Sequence, residues 1–177
     1  NIDAFKQYGV NNVKDLLNSI KALGNLMTNN EDYKKYVEDK IDNKGTLTIK
    51  SSVDGGKISR NGSGYAVSNN AGANLTLESG TIELTGTPLV NGALDNKGTL
   101  TINGGEVIAR KYAVYCSAGS ETTINGGNIT SSESSAVYLG SGSCEITDGT
   151  FNSADGFVNI TLFKGELKAP ETVTSNA

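Results

Sequence analysis

The 177-residue chain contains no histidine, two prolines and two cysteines. Without histidine, neither a Ser-His-Asp nor a Cys-His catalytic arrangement can form. Cys116 and Cys144 are too few for a disulfide scaffold and too far apart for a zinc motif. We expect two free thiols that point into the core as small apolar groups, with a disulfide between them as the alternative.

Basic charge and long apolar runs are also scarce. Lys and Arg number 15 against 19 Asp and Glu, a net charge of -4, so the chain lacks the basic face that nucleic-acid phosphates require. No apolar run approaches the ~18 residues of a membrane span. Neither a GxxxxGK[ST] phosphate loop nor a GGxGxD calcium repeat occurs, and we expect no cofactor or metal. Because the chain starts at Asn1 rather than Met, we expect a segment of a longer polypeptide.

Residues 1–41 differ in pattern from the rest of the chain. Apolar residues there recur at steps of three and four, the spacing of one helical stripe. The stripe consists of Val13, Leu16, Ile20, Leu23 and Met27. We expect an N-terminal α-helical part that either caps the following domain or forms a stalk, and a stalk would gather copies into a homo-oligomer such as a trimer.

From residue 42 onward the chain is repetitive and rich in Gly, Thr, Ser and Asn. The octapeptide DNKGTLTI stands at 42–49 and again at 95–102, with the diverged NAGANLTL between them. Three rows of apolar residues recur at intervals of 20 to 28 residues. The first row is Ile49, Leu77, Ile102, Ile124, Ile146 and Leu167; the second is Ile58, Ile82, Val107, Ile129 and Phe151; the third is Ile41, Val67, Leu94, Val114, Val137 and Val158.

Three apolar rows with a period near 22 predict an all-β solenoid over residues 42–177, with about five to six coils of three short strands each. Each coil returns to a point about 4.8 Å above the previous one, so equivalent residues stack. Inside the coils, Asn43, Asn69 and Asn96 should stack as a ladder of amides that bond to one another.

The segments GTLTINGGEVIA (98–109) and TTINGGNITSS (122–132) carry a resemblance to a known family. They resemble the LTINGG-type coils of right-handed parallel β-helix, pectate-lyase-like proteins, as in phage fibres or tailspikes and Gram-positive surface adhesins. The resemblance covers about residues 42–168. It implies a right-handed parallel β-helix and an extracellular or virion-surface location.

Enzymes of that family use acidic and basic clusters on one outer sheet. An enzymatic role would therefore require such a cluster among the outward carboxylates of this chain. Continuing the repeat spacing stacks Glu145 on Glu166, and a carboxylate pair can act in general acid–base catalysis. No basic partner joins the pair in the pattern. We therefore expect a non-enzymatic protein and keep a polysaccharide lyase or hydrolase as an alternative.

Two outward rows are candidate binding surfaces. Tyr115 and Tyr138 should stack on neighbouring coils near Lys111, and aromatic rings beside a cation can hold a sugar. A stiffening aromatic pair is the structural alternative. Thr48, Thr76, Thr101 and Thr123 should form a column of the kind that ice-binding solenoids use, although threonine is also a common residue of strand surfaces.

These patterns together favour a structural and binding module of an extracellular or virion appendage, similar to a phage fibre. Its expected partner is a cell-surface glycan or a host receptor. A bacterial surface adhesin is the nearest alternative, and the polysaccharide-active enzyme and the ice-binding solenoid are the others.

Overall fold

The computed structural model describes residues 41–52, 56–62, 64–86, 92–117 and 119–170, and the backbone of 175–176. The predicted N-terminal helical part lies outside the described residues, except that Ile41 begins the first strand. In chain order, the strands are β1 (Ile41–Asn43), β2 (Thr46–Ile49), β3 (Lys57–Arg60), β4 (Val67–Asn69), β5 (Asn74–Leu77), β6 (Thr81–Leu84), β7 (Gly92–Asn96), β8 (Thr99–Ile102), β9 (Glu106–Ala109), β10 (Tyr112–Cys116), β11 (Glu121–Ser131), β12 (Val137–Leu139), β13 (Ser143–Asn152), β14 (Ile160–Leu162), β15 (Glu166–Lys168) and β16 (Ser175–Asn176).

These strands form a parallel β-solenoid of about five turns. One lateral face is a six-stranded sheet in the order β1-β4-β7-β10-β12-β14, which we call the first sheet. The other two faces are joined, because β11 and β13 each run through a corner where their pairing shifts near Asn125. The described residues therefore confirm the all-β parallel solenoid that the repeat predicted.

The predicted rows align over most of the solenoid. In the first row, Ile49 pairs with Leu77, Leu77 with Ile102, Ile102 with Ile124, and Ile124 with Ile146. The second row aligns in the same way from Ile58 to Phe151. Residues of both rows form the buried core together with those of the third row. The two DNKGTLTI copies thus occupy the same corner and strand two coils apart, as predicted.

The register of the last coil differs from the prediction. Leu167 stacks on Cys144 rather than on Ile146, and Ile160 rather than Val158 stacks on Val137. The last interval is therefore 23 residues, two more than the pattern indicated. A shift of two keeps every side chain on the same face of its strand, so the alternation of apolar and polar residues could not reveal it. Val158 is 61% exposed instead of buried.

The same shift separates the expected carboxylate pair. Glu145 lies opposite Lys168, and Glu166 lies opposite Ser143. Lys168, rather than Glu166, therefore lies opposite Glu145. The two opposite charges form a solvated pair with no net charge. The predicted stacking of Glu145 on Glu166 is wrong.

The predicted asparagine ladder is present inside the coils. Asn43 Nδ2 donates to Asn69 Oδ1 at 2.8 Å, and Asn69 Nδ2 donates to Asn96 Oδ1 at 2.8 Å. The ladder ends where Asn96 Nδ2 donates to Thr122 Oγ1 at 3.0 Å. Each amide also donates to a backbone carbonyl of the next coil. These bonds satisfy polar groups that would otherwise be costly to bury.

A column of small residues lies at the start of β4, β7, β10, β12 and β14 of the first sheet. The column consists of Ala66, Ala93, Ala113, Ala136 and finally Asn159, all buried. Both Nδ2 and Oδ1 of Asn159 are buried without a hydrogen-bond partner. The last member of the column therefore has a polar side chain at a position that otherwise takes alanine.

The glycines of the NGG corners have a positional requirement. Gly105 has φ 79°, in the left-handed region, and a Cβ there would lie 2.6 Å from the Gly80 carbonyl oxygen of the coil below. Only glycine fits both the backbone conformation and the close approach of successive coils. By contrast, Gly72 has φ 77° but an open surrounding, with no heavy atom within 4 Å of its Cβ position.

We expect Gly105→Ala to lower the free energy of unfolding by at least about 2 kcal/mol, because it adds a backbone clash to left-handed strain. Gly72→Ala is the matched control, since it carries the strain alone and should cost about 1 kcal/mol. Chemical denaturation of both variants measures the difference. Equal losses would contradict the proposed close packing of the corners.

We expect Asn159→Ala to raise the free energy of unfolding by about 1 kcal/mol, because it removes two unpaired buried polar atoms and continues the alanine column. The control is Asn61→Ala at an exposed position, which should change stability by less than about 0.5 kcal/mol. Thermal or urea unfolding tests both. A lower free energy of unfolding in Asn159→Ala would show that the amide makes a stabilising contact and would contradict this prediction.

Candidate functional site

The outward residues at the centre of the first sheet form the most distinctive surface of the described residues. Strand alternation directs Val114 and Cys116 into the core, and Tyr115 between them outward. Tyr115 pairs with Asp95 on the coil below and with Tyr138 on the coil above. Two tyrosines and a carboxylate thus occupy one column.

Four tyrosines gather around that column. The Tyr115 and Tyr138 rings are stacked, with centroids 5.2 Å apart and planes 4° apart. The Tyr112 ring lies 4.7 Å from that of Tyr138, and the Tyr65 ring lies 6.3 Å from that of Tyr115. We call these four residues the tyrosine cluster. All four side chains are partly buried and partly exposed.

Stacking changes what the cluster can offer a ligand. One face of Tyr115 and one face of Tyr138 are covered by each other, so the two rings do not both present open faces as separate platforms. The Tyr115 hydroxyl reaches Gly140, whose Cβ position would lie 3.4 Å from it. A ligand on this surface would therefore not find two open ring faces on Tyr115 and Tyr138, and would also meet the partly exposed Tyr65 and Tyr112.

Asp95 places a negative charge beneath the cluster. Its side chain is 1% exposed. The Ser117 hydroxyl donates to Asp95 Oδ1 at 3.1 Å. Lys97 Nζ lies 2.8 Å from Oδ2, where the contact is an ion pair rather than an aligned hydrogen bond. A buried carboxylate needs such a partner, so Asp95 and Lys97 act as a unit.

Burial and this charge act together on the phenol groups. Burial, followed by the Asp95 charge, raises the pKa of Tyr65 to about 12. The pKa of Tyr115 is also raised, first by burial and then by neighbouring Tyr138 and Asp95. Both phenols are protonated and able to donate hydrogen bonds at neutral pH, and the raised pKa values extend this state to more alkaline pH.

Lys111 lies at the edge of the same cluster. Its Nζ is 5.6 Å from the centroid of the Tyr112 ring, within the range of a cation–π contact. The structure thus brings Lys111, Tyr115 and Tyr138 into one cluster, with Tyr112 between the lysine and the stacked pair. Sequence reasoning missed Tyr65, Tyr112, Asp95 and Lys97 as parts of this surface.

The threonine column occupies a different face. Thr48, Thr76, Thr101 and Thr123 pair in register on β2, β5, β8 and β11. Glu145 and Lys168 continue the column. The threonine surface is therefore four residues long and ends in a charged pair.

Both cysteines are free and buried, as predicted. Cys116 Sγ lies 3.3 Å from Thr122 Oγ1. Burial raises the pKa of the Cys116 thiol to about 11. Burial and the nearby Cys116 raise the pKa of the Cys144 thiol to about 12. Neutral, buried thiols are weak nucleophiles, so both act as core residues.

A depression of about 190 Å³ lies where the threonine column ends, and Glu121, Glu145, Glu166 and Lys168 are among its lining residues.

Within the described ranges, no three His, Cys, Asp or Glu side chains converge as metal ligands. Also within that part of the chain, no helix is long and apolar enough to span a membrane.

Comparison with protein-family models, with curated proteins and with solved structures finds no match to this chain. The parallel β-solenoid is therefore the class of protein that the structure defines, and its role has to be argued from the surfaces described above.

The thiol pKa values predict a loss of stability at alkaline pH. An unfolded thiol ionises near pH 9, whereas Cys116 and Cys144 stay protonated until about 11 and 12. Their contribution is therefore complete below pH 9 and is lost as pH rises through 9 to 12, at about 1.4 kcal/mol per pH unit for each thiol.

Denaturant unfolding between pH 8 and 10.5 measures this slope. A Cys116→Ala/Cys144→Ala variant should lose stability less steeply than the parent chain above pH 9. The causes that raise the pKa of Tyr65 include neither thiol, so the contribution of Tyr65 cancels in the comparison. Cys116 is the smallest of the causes that raise the pKa of Tyr115, so most of the Tyr115 contribution cancels as well. Identical slopes would show that the thiols are not protected by burial.

Proposed function

We propose that this chain is a non-enzymatic binding module of an extracellular or virion appendage, and that its tyrosine cluster binds a cell-surface glycan. The observation that carries the proposal is the clustering of four tyrosines on a lateral face, above the buried Asp95, whose ion-pair partner Lys97 is exposed. Sugar rings bind proteins through apolar C–H contacts with aromatic groups and through hydroxyl hydrogen bonds. The cluster offers both kinds of contact.

The rigidity of the cluster supports this role. Tyr115 and Tyr138 stand on strands that are hydrogen-bonded in register, and each ring is held by its neighbours. A ligand would not have to order these side chains, which reduces the entropic cost of binding. Lys111 stands over the Tyr112 ring at the edge of the cluster and helps to hold that ring through a cation–π contact.

The solenoid itself supports a place in an appendage. Continuous ladders of parallel strands produce a rod whose lateral faces vary while its core stays constant. The LTINGG-type coils resemble those of right-handed, pectate-lyase-like β-helices in phage fibres and surface adhesins. We propose that this solenoid is also right-handed, since parallel crossovers nearly always are. A phage fibre is the first choice and a bacterial adhesin the second.

Two other functions have less support. A polysaccharide-active enzyme would need paired catalytic groups, and the one pair expected from the repeat, Glu145 with Glu166, does not stack. Ice binding rests on the column from Thr48 to Thr123, which ends in the charged Glu145 and Lys168. Thermal hysteresis of the chain would support ice binding, and its absence would remove that alternative.

The glycan proposal predicts that Tyr115→Ser/Tyr138→Ser loses binding. The parent chain and the variant would be compared on an array of bacterial and host-cell oligosaccharides and polysaccharides. We expect the parent to bind a subset, and the double variant to bind that subset at least about tenfold more weakly, equivalent to about 1.4 kcal/mol.

Thr76→Ser/Thr101→Ser on another face is the matched control and should bind like the parent. Circular dichroism of each protein checks that the solenoid stays folded. Unchanged binding by the tyrosine variant would remove the tyrosine cluster as the site. A parent chain that binds none of the arrayed glycans would contradict the proposed ligand class.

A further inference from the structure

The sequence contains four Asn-Gly dipeptides, at 61–62, 91–92, 103–104 and 125–126. Asn91 lies outside the described residues. The other three asparagines, Asn61, Asn103 and Asn125, are all exposed. Glycine has no side chain to shield its backbone nitrogen, so that nitrogen can reach the side-chain amide of the preceding asparagine. Asn-Gly dipeptides are therefore prone to lose ammonia from the asparagine.

Close packing of the coils explains why glycine follows Asn103 and Asn125. A Cβ at Gly104 would lie 2.8 Å from the Glu78 carbonyl oxygen, and a Cβ at Gly126 would lie 2.8 Å from the Asn103 carbonyl oxygen. A larger residue would clash with the backbone of the coil below. These two corners consequently require the second member of the labile dipeptide.

The side chains of Asn103 and Asn125 are held at both of their amide atoms. Asn103 Nδ2 donates to Glu78 Oε1 at 3.0 Å, and Asn103 Oδ1 accepts from Asn125 Nδ2 at 3.0 Å. Asn125 Oδ1 accepts from Thr147 Oγ1 at 2.9 Å. We call Glu78, Asn103, Asn125 and Thr147 the outer ladder. Two hydrogen bonds thus restrain each asparagine from turning its Cγ toward the next backbone nitrogen.

The backbone of these corners is restrained as well. Asn103 N donates to Leu77 O at 2.9 Å, and Glu106 N donates to Gly80 O at 2.8 Å, so both sides of that corner are bonded to the coil below. Asn125 lies within β11, which pairs with β13. Closing a ring at either asparagine would change backbone dihedral angles that these bonds hold.

Asn61 lacks both restraints. It follows Arg60, the last residue of β3, whose carbonyl accepts from Thr85 N at 2.9 Å. Within the described residues, neither Asn61 nor Gly62 makes a hydrogen bond. Asn61 therefore combines an exposed position, a following glycine and an unrestrained side chain.

We propose that Asn61 is a site of spontaneous deamidation in the folded chain, and that the outer ladder protects Asn103 and Asn125 from the same reaction. The Gly62 backbone nitrogen gives its proton to solvent base and attacks Asn61 Cγ. A bond forms between that nitrogen and Cγ, the bond from Cγ to Nδ2 breaks, and Nδ2 leaves as ammonia. Water then opens the resulting succinimide to aspartate or isoaspartate. Water is the only co-reactant, and no atom is oxidised or reduced.

Deamidation places a carboxylate next in sequence to Arg60. Arg60 Nη1 donates to Tyr65 O at 2.7 Å, so this guanidinium holds the connection that carries Tyr65. Because a carboxylate is a stronger acceptor than a carbonyl for a guanidinium, position 61 then offers Arg60 a competing acceptor. The reaction at Asn61 does not depend on whether the tyrosine cluster binds a glycan.

Peptide mass spectrometry of the full chain after incubation at mildly alkaline pH tests the proposal. Exchange of ammonia for water raises the mass of each affected peptide, and rapid digestion at acidic pH limits further reaction. We expect the folded chain to convert Asn61 at least about tenfold faster than Asn103 or Asn125. In denaturant, all three rates should agree within about threefold, because glycine follows each asparagine. Equal rates in the folded chain, or the same tenfold ratio in denaturant, would overturn the proposal.

Three variants separate the roles of the residues. Thr147→Val removes the donor to Asn125 Oδ1 and should speed the conversion of Asn125 at least about twofold, with Asn61 unchanged. Thr76→Val on the threonine column is the matched control and should leave all rates unchanged. Asn61→Gln should remove the early acidic form in ion-exchange chromatography, because glutamine would have to close a larger ring.

Two results from these variants would count against the proposal. An unchanged Asn125 rate in Thr147→Val would contradict protection by the outer ladder. An acidic form that appears as fast in Asn61→Gln as in the parent would contradict the assignment of the reaction to Asn61.

Discussion

The structure depends on one constraint: each coil must lie one strand spacing above the coil below, with its backbone hydrogen-bonded to it in parallel register. That spacing of about 4.8 Å leaves no room for side chains between coils. Equivalent residues consequently form columns, and the side chains of a column must pack against or bond to one another at the strand spacing. Isoleucine, alanine, asparagine and glycine columns each satisfy this requirement in a different way.

The columns divide the solenoid into an interior that is similar from coil to coil and an exterior that differs from face to face. Inward columns are mostly apolar or, in the Asn43–Asn69–Asn96 ladder, bonded from one coil to the next. Outward columns carry no such requirement, so one face is threonine-rich while another carries Asp95 beneath stacked tyrosines. A fold of this kind can acquire a binding surface without any change to its core.

Period and alternation were enough to predict the all-β solenoid, its apolar rows, the asparagine ladder and the stacking of Tyr115 on Tyr138. They could not reveal the 23-residue interval of the last coil, because a shift of two residues preserves the alternation. They also missed Tyr65 and Tyr112. Tyr65 precedes β4 in a connection, and Tyr112 stands at the start of β10 beside a corner, so neither belongs to a repeating outward column.

The missed residues show where function enters a repeat protein. The repeating columns account only for the stacking of Tyr115 on Tyr138, a pair that could serve merely to stiffen the sheet. Tyr65 arrives from an irregular connection and lies over the Asp95 side of Tyr115, while Tyr112 brings Lys111 to the Tyr138 side. Departures from the repeat thus convert a two-ring column into a broad surface of rings, hydroxyls and charges. These departures lie at or beside corners. They therefore add polar and aromatic side chains to the surface without disturbing the hydrogen bonds between strands of successive coils.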